Sequence, residues 1–145
     1  MQRIRNTKAG FNYELLDSIE AGLVLSGAEV KSVRAGHVSL NESFIVIENG
    51  ELYLAKCHIA PYQLKNQAAY DPYQKRKVLV SQKQLREFAQ KKQEAGLTLI
   101  PISLYAKGRL IKLEVALARG KKKHDKRETL KRRDAEREIS RMMRG

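Results

Sequence analysis

The sequence predicts a mainly β fold: a small antiparallel barrel of about six strands with two inserted helices, followed by a basic C-terminal tail. Three observations carry that expectation. In residues 109–118, Ile111, Leu113, Val115 and Leu117 alternate with Leu110, Lys112, Glu114 and Ala116. That period of two, with one apolar face, belongs to an antiparallel strand covering a core. Asn49-Gly50 stands between two apolar runs, where a tight hairpin turn needs positive φ at both positions. The other apolar runs are short, and closing them into a barrel removes exposed edges. The division expected is a body over residues 1–118 and a tail over 119–145.

In chain order, residues 1–8 are basic with little to bury and are expected to lie loose. Residues 11–25 read as one extended strand in which Leu16 falls on the wrong face, with a bulge expected at Ala21-Gly22. Residues 27–36, GAEVKSVRAG, read as a short helix with Val30 and Val33 on its buried side. Residues 44–47 and 52–54 form the hairpin around Asn49-Gly50. Residues 61–77 are a long loop with two prolines and three tyrosines, a length that is usually functional or disordered. Residues 81–95 read as an amphipathic helix capped by Ser81 and ended by Gly96, with Leu85, Phe88 and Ala89 facing inward. Residues 97–106 and 109–118 are strands joined at Lys107-Gly108. Pro101 has no amide to donate, so its position should be an edge or a bulge.

Composition narrows the function. The 145 residues carry 29 Lys and Arg against 16 Asp and Glu, a net +13. Twelve of those bases lie in residues 119–145 with five acids, so the body is itself basic. Such a molecule suits a nucleic acid or an anionic surface. No apolar run approaches a bilayer's thickness, the first residues lack a signal peptide's apolar core, and Cys57 is the single cysteine. A cytoplasmic, monomeric protein without a membrane partner is expected. The tail holds too few apolar side chains to offset its ordering entropy alone, and it suits a polyanion.

No constellation for catalysis is visible. Cys57-His58 are strand neighbours that point to opposite faces and cannot jointly grip a metal, so neither metal nor cofactor is expected. The carboxylates are dispersed, which speaks against metal-assisted hydrolysis. Binding chemistry remains: charge for the RNA backbone and aromatic faces for unstacked bases. Tyr62, Tyr70 and Tyr73 are stacking candidates. Lys8, Lys31, Arg34, Arg76 and Lys77 are candidate RNA contacts on the body. Glu29 reads most simply as an ion pair with Lys31 or Arg34, the alternative being an acceptor for base amino groups.

Several stretches together are specific: NTKAGFNYE, GAEVKSVRAG followed by SL and SF, CHIAPY, YDP with QKRK, GLTLIPISLY and ARGKKKHDKRE. In that order, from about residue 6 to residue 128, they resemble the bacterial tmRNA-binding small protein B family, the SsrA-binding proteins. The resemblance implies an oligonucleotide-binding barrel that takes the tRNA-like domain of tmRNA into the vacant decoding site of a stalled ribosome. It implies that the tail enters the empty mRNA channel along small-subunit ribosomal RNA and becomes helical there. Asn6, Glu29 and Phe88 match family positions tied to RNA binding. Gly120, Lys121, Lys122, His124, Asp125, Lys126 and Arg127 match the segment that engages the decoding centre. In a helix, Ala135, Ile139, Met142 and Met143 would form one apolar stripe. The match departs at Gly10 and Phe11, where the family has a basic or bulky residue followed by His. Two other readings stand beside it: a ribosomal or initiation-factor-like barrel held permanently on ribosomal RNA, and an RNA-processing enzyme.

Overall fold

The computed structural model describes residues 1–63, 69–93 and 96–121. The fold is mainly β. Nine strands run in chain order as β1 (Ile4–Arg5), β2 (Tyr13–Leu23), β3 (Val38–Ser39), β4 (Phe44–Glu48), β5 (Glu51–Ala55), β6 (His58–Ile59), β7 (Arg76–Leu79), β8 (Leu97–Lys107) and β9 (Leu110–Gly120). Three helices interrupt them: α1 (Ala9–Asn12), α2 (Gly27–Arg34) and α3 (Gln82–Lys92). Seven strands form one antiparallel sheet in the order β1-β8-β9-β2-β7-β5-β4, and β3 pairs with β6 apart from it. β4 packs back against β8, so the sheet curls around its core. Among the described residues no ladder joins β1 to β4. The barrel expected from the sequence is therefore a rolled, open sheet rather than one closed by hydrogen bonds.

The alternating strand behaves as its pattern dictates. Ile111, Leu113, Val115 and Leu117 are buried, and with Leu23, Val33, Leu40, Leu52, Leu54, Phe88 and Leu104 they make the main core. At the β4–β5 turn Asn49 and Gly50 have φ of 50° and 74°, as a tight hairpin requires. Ser81 caps α3 reciprocally with Gln84, and Ser26 caps α2 reciprocally with Glu29. The β8–β9 register shifts between Pro101 and Ser103, so Pro101 sits at a bulge.

Four expectations are corrected. The first residues do not lie loose, because Ile4 and Arg5 pair with Leu104 and Ser103 at the edge of β8. Arg3 adds a cation–π contact over Tyr105 at 4.1 Å. Residues 9–12 form α1 before the long strand begins. The bulge in β2 lies between Leu15 and Asp17, not at Ala21-Gly22. Its extra residue is Leu16, which is why the alternation broke there. Finally, β9 continues through Gly120, pairing Arg119 with Glu14 and Gly120 with Tyr13. The last strand thus runs two residues beyond its expected end at 118. No helix among the described residues is long and apolar enough to cross a membrane.

Candidate nucleic-acid interface

The charged centre of the body is built from α2. Its N-cap Ser26 places Glu29 at the third helical position, where one carboxylate oxygen accepts the Ser26 amide at 3.1 Å. The helix turns this face inward, so Glu29 is only 4% exposed, beside Val33 and Ser32. The other carboxylate oxygen accepts from Arg76 on β7, at 2.9 Å from Nε and 2.6 Å from a terminal nitrogen. It also accepts from the Tyr70 hydroxyl at 3.1 Å and the Gln74 amide at 3.2 Å. Arg76, 2% exposed, sends its remaining terminal nitrogen to the Cys57 carbonyl at 2.6 Å. The Tyr70 hydroxyl also lies 2.9 Å from the Ile59 carbonyl, so its single proton is shared between that carbonyl and Glu29.

One buried carboxylate thus joins α2, β7, β6 and the segment leading into β7. Burial pushes the Glu29 carboxyl up, but the Ser26 amide, Arg76 and Gln74 together outweigh it and hold the group below its ordinary range. Burial, with the Glu29 charge beside it, raises the Tyr70 phenol. The Cys57 thiol is pushed up to about 11, chiefly by burial.

The expectation that Glu29 pairs with Lys31 or Arg34 is corrected. Both lie on the exposed side of α2, and the partner comes from 47 residues away in sequence. Arg76 is likewise not a surface base; its guanidinium is committed to Glu29 and a carbonyl. Tyr70 is held as a hydrogen-bonding ring instead of an open stacking face.

What reaches solvent around this network is a basic and aromatic surface. The Lys31 ammonium lies 5.2 Å from the Tyr62 ring centroid, and His58 meets Tyr73 edge-on at 5.0 Å. Tyr62 and Tyr73 are both exposed. Arg34 reaches across to the Gly108 carbonyl at 2.9 Å, and Lys77 pairs with Glu51 at 3.0 Å.

A second cluster forms at the N-terminal end. Buried Asn6 donates its side-chain amide to the Pro101 carbonyl at 2.8 Å, while its backbone amide donates to Ile102. Its side-chain oxygen accepts the Lys8 amide at 3.3 Å and shapes the turn into α1. Lys8 pairs with Glu42, and Thr7 bonds Asn41. Between these residues lies a cleft of ≈ 310 Å³ walled by Asn6, Asn12, Tyr13, Asn41 and Phe44. Phe88 takes no part in either cluster, since its ring is buried in the main core beneath α3.

Of the tail residues singled out from the sequence, Gly120 ends β9, and Lys121 donates its amide to Asn12 and its ammonium to Gly10. Lys122, His124, Asp125, Lys126, Arg127, Met142 and Met143 lie outside the described residues.

Comparison with known proteins now decides the family. The family model described as SmpB protein matches residues 3–145. The chain belongs to the SmpB family. An SsrA-binding protein of Chelativorans sp. (strain BNC1) is 48% identical over 139 residues, covering 95% of this chain and 90% of that protein. One from Bartonella henselae is 50% identical over 140 residues, covering 95% of this chain and 88% of its own length. A solved chain, from a study described as "tmRNA-SmpB: a journey to the center of the bacterial ribosome", superposes with a TM-score of 0.69. It is 44% identical and covers 83% of this chain and 85% of its own.

Sequence reasoning missed Gln74 and Tyr70 as members of the Glu29 network. The nearest signal was the density of tyrosines and amides in residues 61–77, which marks a loop but not the carboxylate it folds onto.

Proposed function

We propose that the protein is an RNA-binding adaptor of trans-translation. It binds the tRNA-like domain of tmRNA and delivers it to the vacant decoding site of stalled ribosomes in the cytoplasm. It works without catalysis of its own. The observation that carries this reading is the family match, which spans body and tail together.

In this reading the labour is divided between the two parts of the chain. The body recognises tmRNA. Lys31, Arg34 and Lys77 supply charge to phosphates, and Tyr62 and Tyr73 offer faces to unstacked bases. Glu29 and Arg76 act from behind that surface. They are positioning residues that hold Tyr70, Gln74 and the start of β7 against α2. Asn6 serves the same way for Lys8 and the cleft beside α1. Phe88 supports the body from within the core. Residues 122–145 enter the empty mRNA channel, with His124 flanked by bases that meet small-subunit RNA and Met142 and Met143 on an apolar stripe.

Sequencing the RNA that co-purifies with the protein tests the whole proposal. tmRNA should be enriched, with the protein sub-stoichiometric on ribosomes. Recovery of ribosomal RNA at one copy per ribosome, without tmRNA, would overturn it in favour of a resident ribosomal protein.

A further inference from the structure

The cleft beside α1 is a pocket that neither the Glu29 network nor the main core uses. Its volume of ≈ 310 Å³ lies at the lower end of the range for sites that take a small ligand. Its floor is apolar and closed, since Ala9 and Ile100 are both buried. Phe44, at the start of the edge strand β4, forms one wall and is 40% exposed. The Lys56 ammonium lies 5.9 Å from the centroid of that ring. Lys56 holds φ at 56°, in the left-handed region that residues other than glycine rarely enter. A large ring kept open to solvent with a cation beside it is a stacking platform for an unpaired base.

The polar groups around the ring suit the edge of such a base. Asn6 has both ends of its amide committed, to Pro101 and to Lys8, so it shapes the wall and reads nothing. The Asn41 side-chain oxygen accepts from the Thr7 amide at 3.2 Å and the Thr7 hydroxyl at 3.1 Å. A backbone amide can only donate, which fixes that orientation and leaves the Asn41 NH2 group without a partner among the described residues. The Asn12 side-chain amide has no partner among the described residues either. An unengaged asparagine amide sets one donor beside one acceptor, the pattern that N7 and N6 of adenine complement. Glu42 is the acid at the mouth, and Lys8 pairs with it. The Asn12 carbonyl accepts the Lys121 amide at 2.9 Å, so the cleft adjoins the end of β9. The α2 surface lies at the other end of the same strands, where Arg34 reaches Gly108 in the β8–β9 turn.

We infer that this cleft takes one unpaired adenine of a bound RNA. The base stacks on Phe44, Asn12 reads its edge with Asn41 as a second donor, and Lys56 meets the adjoining phosphate. The inference deepens the RNA-binding reading and rests on it. tmRNA and ribosomal RNA both offer unpaired adenines of the same chemistry, and the experiment separates them.

The test titrates the full-length protein, at one salt concentration, with short oligouridines that carry a central uridine, adenosine or guanosine. The oligonucleotide with the central adenosine should bind about tenfold more tightly than the all-uridine one. It should also shift the side-chain amide signals of Asn12 and Asn41 in NMR spectra. Phe44→Leu keeps an apolar side chain and should close most of that gap; Asn12→Ala, on the short helix α1 and outside the main core, should do the same if the first variant fails to fold. Equal affinity for the three oligonucleotides, a preference for guanosine, or a gap that both variants leave intact would overturn the assignment. The same variants are then titrated against purified tmRNA and against small ribosomal subunits. A loss of affinity on either one names the source of the adenine, and a loss on neither would overturn the site. The oligonucleotide arm contains no tmRNA, so the cleft can fail while the adaptor role stands, and the reverse.

Discussion

Glu29 and Arg76 concentrate the chemistry of the body in one ion pair whose side chains are 4% and 1% exposed. Removing one partner of such a pair leaves an uncompensated buried charge and costs about 3–5 kcal/mol. Arg76→Ala should therefore lower the urea midpoint strongly, and Glu29→Ala comparably. The double variant should lose less than the two losses added, which a double-mutant cycle would measure. The pH dependence has a definite sign. Because the Glu29 carboxyl is held below its ordinary value near 4.5, its stabilisation is fully present above that value and is lost as pH falls through the lowered pKa. Thermal melts from pH 6 down to about pH 2.5 should fall more steeply for the native chain than for Glu29→Gln. Equal slopes would mean that the carboxylate is not stabilised in the folded state. At the surface, Lys31→Ala should leave stability within about 0.5 kcal/mol yet weaken tmRNA binding, because its ammonium lies over the exposed Tyr62 ring and not in the network.

At the scale of elements, local chemistry sets boundaries and long-range pairing sets faces. The Ser81 cap was legible because a hydroxyl three residues before an amide satisfies two orphan donors reciprocally. Ser81→Ala should cost about 1 kcal/mol in chemical denaturation without changing the core. The Asn49-Gly50 turn was legible for the same local reason. The bulge at Leu16 was visible only as a broken alternation. Its position could not be read, because a bulge is defined by the partner strand, here β9, a hundred residues away. The edge strand β1 was illegible for a related reason. Two residues carry no pattern, and their ordering comes from β8 and from Arg3 stacking on Tyr105. Deleting residues 1–5 should lower the melting temperature and expose the β8 edge, which light scattering would register as self-association.

For the whole molecule, charge and the end of β9 matter most. With a net charge of +13, RNA affinity should fall with salt, the log–log slope counting released counterions at roughly 0.7–0.9 per phosphate contact. Two truncations separate body from tail. Ending the chain after Lys121 should leave the melting temperature and tmRNA affinity nearly unchanged while abolishing peptide tagging. Ending it after Ala118 removes the pairs of Arg119 with Glu14 and Gly120 with Tyr13 and the Lys121 anchor on Asn12. That second truncation should melt earlier. If the first one lost tmRNA binding while still folded, the proposed division of labour would be wrong.

The sequence by itself determined the β class, the hairpin, the two longer helices, the Ser81 cap, the alternating strand and, through its motifs, the family. Each depends on residues within a few positions of one another, or on residue identity alone. Only the tertiary structure decided which charges face water. Glu29 read as a partner of Lys31 or Arg34, and Arg76 as a candidate RNA contact, until the fold brought the two within 2.6 Å and out of solvent. Composition reports that a group is ionised; burial and the partner that permits it come from chain segments that meet only on folding.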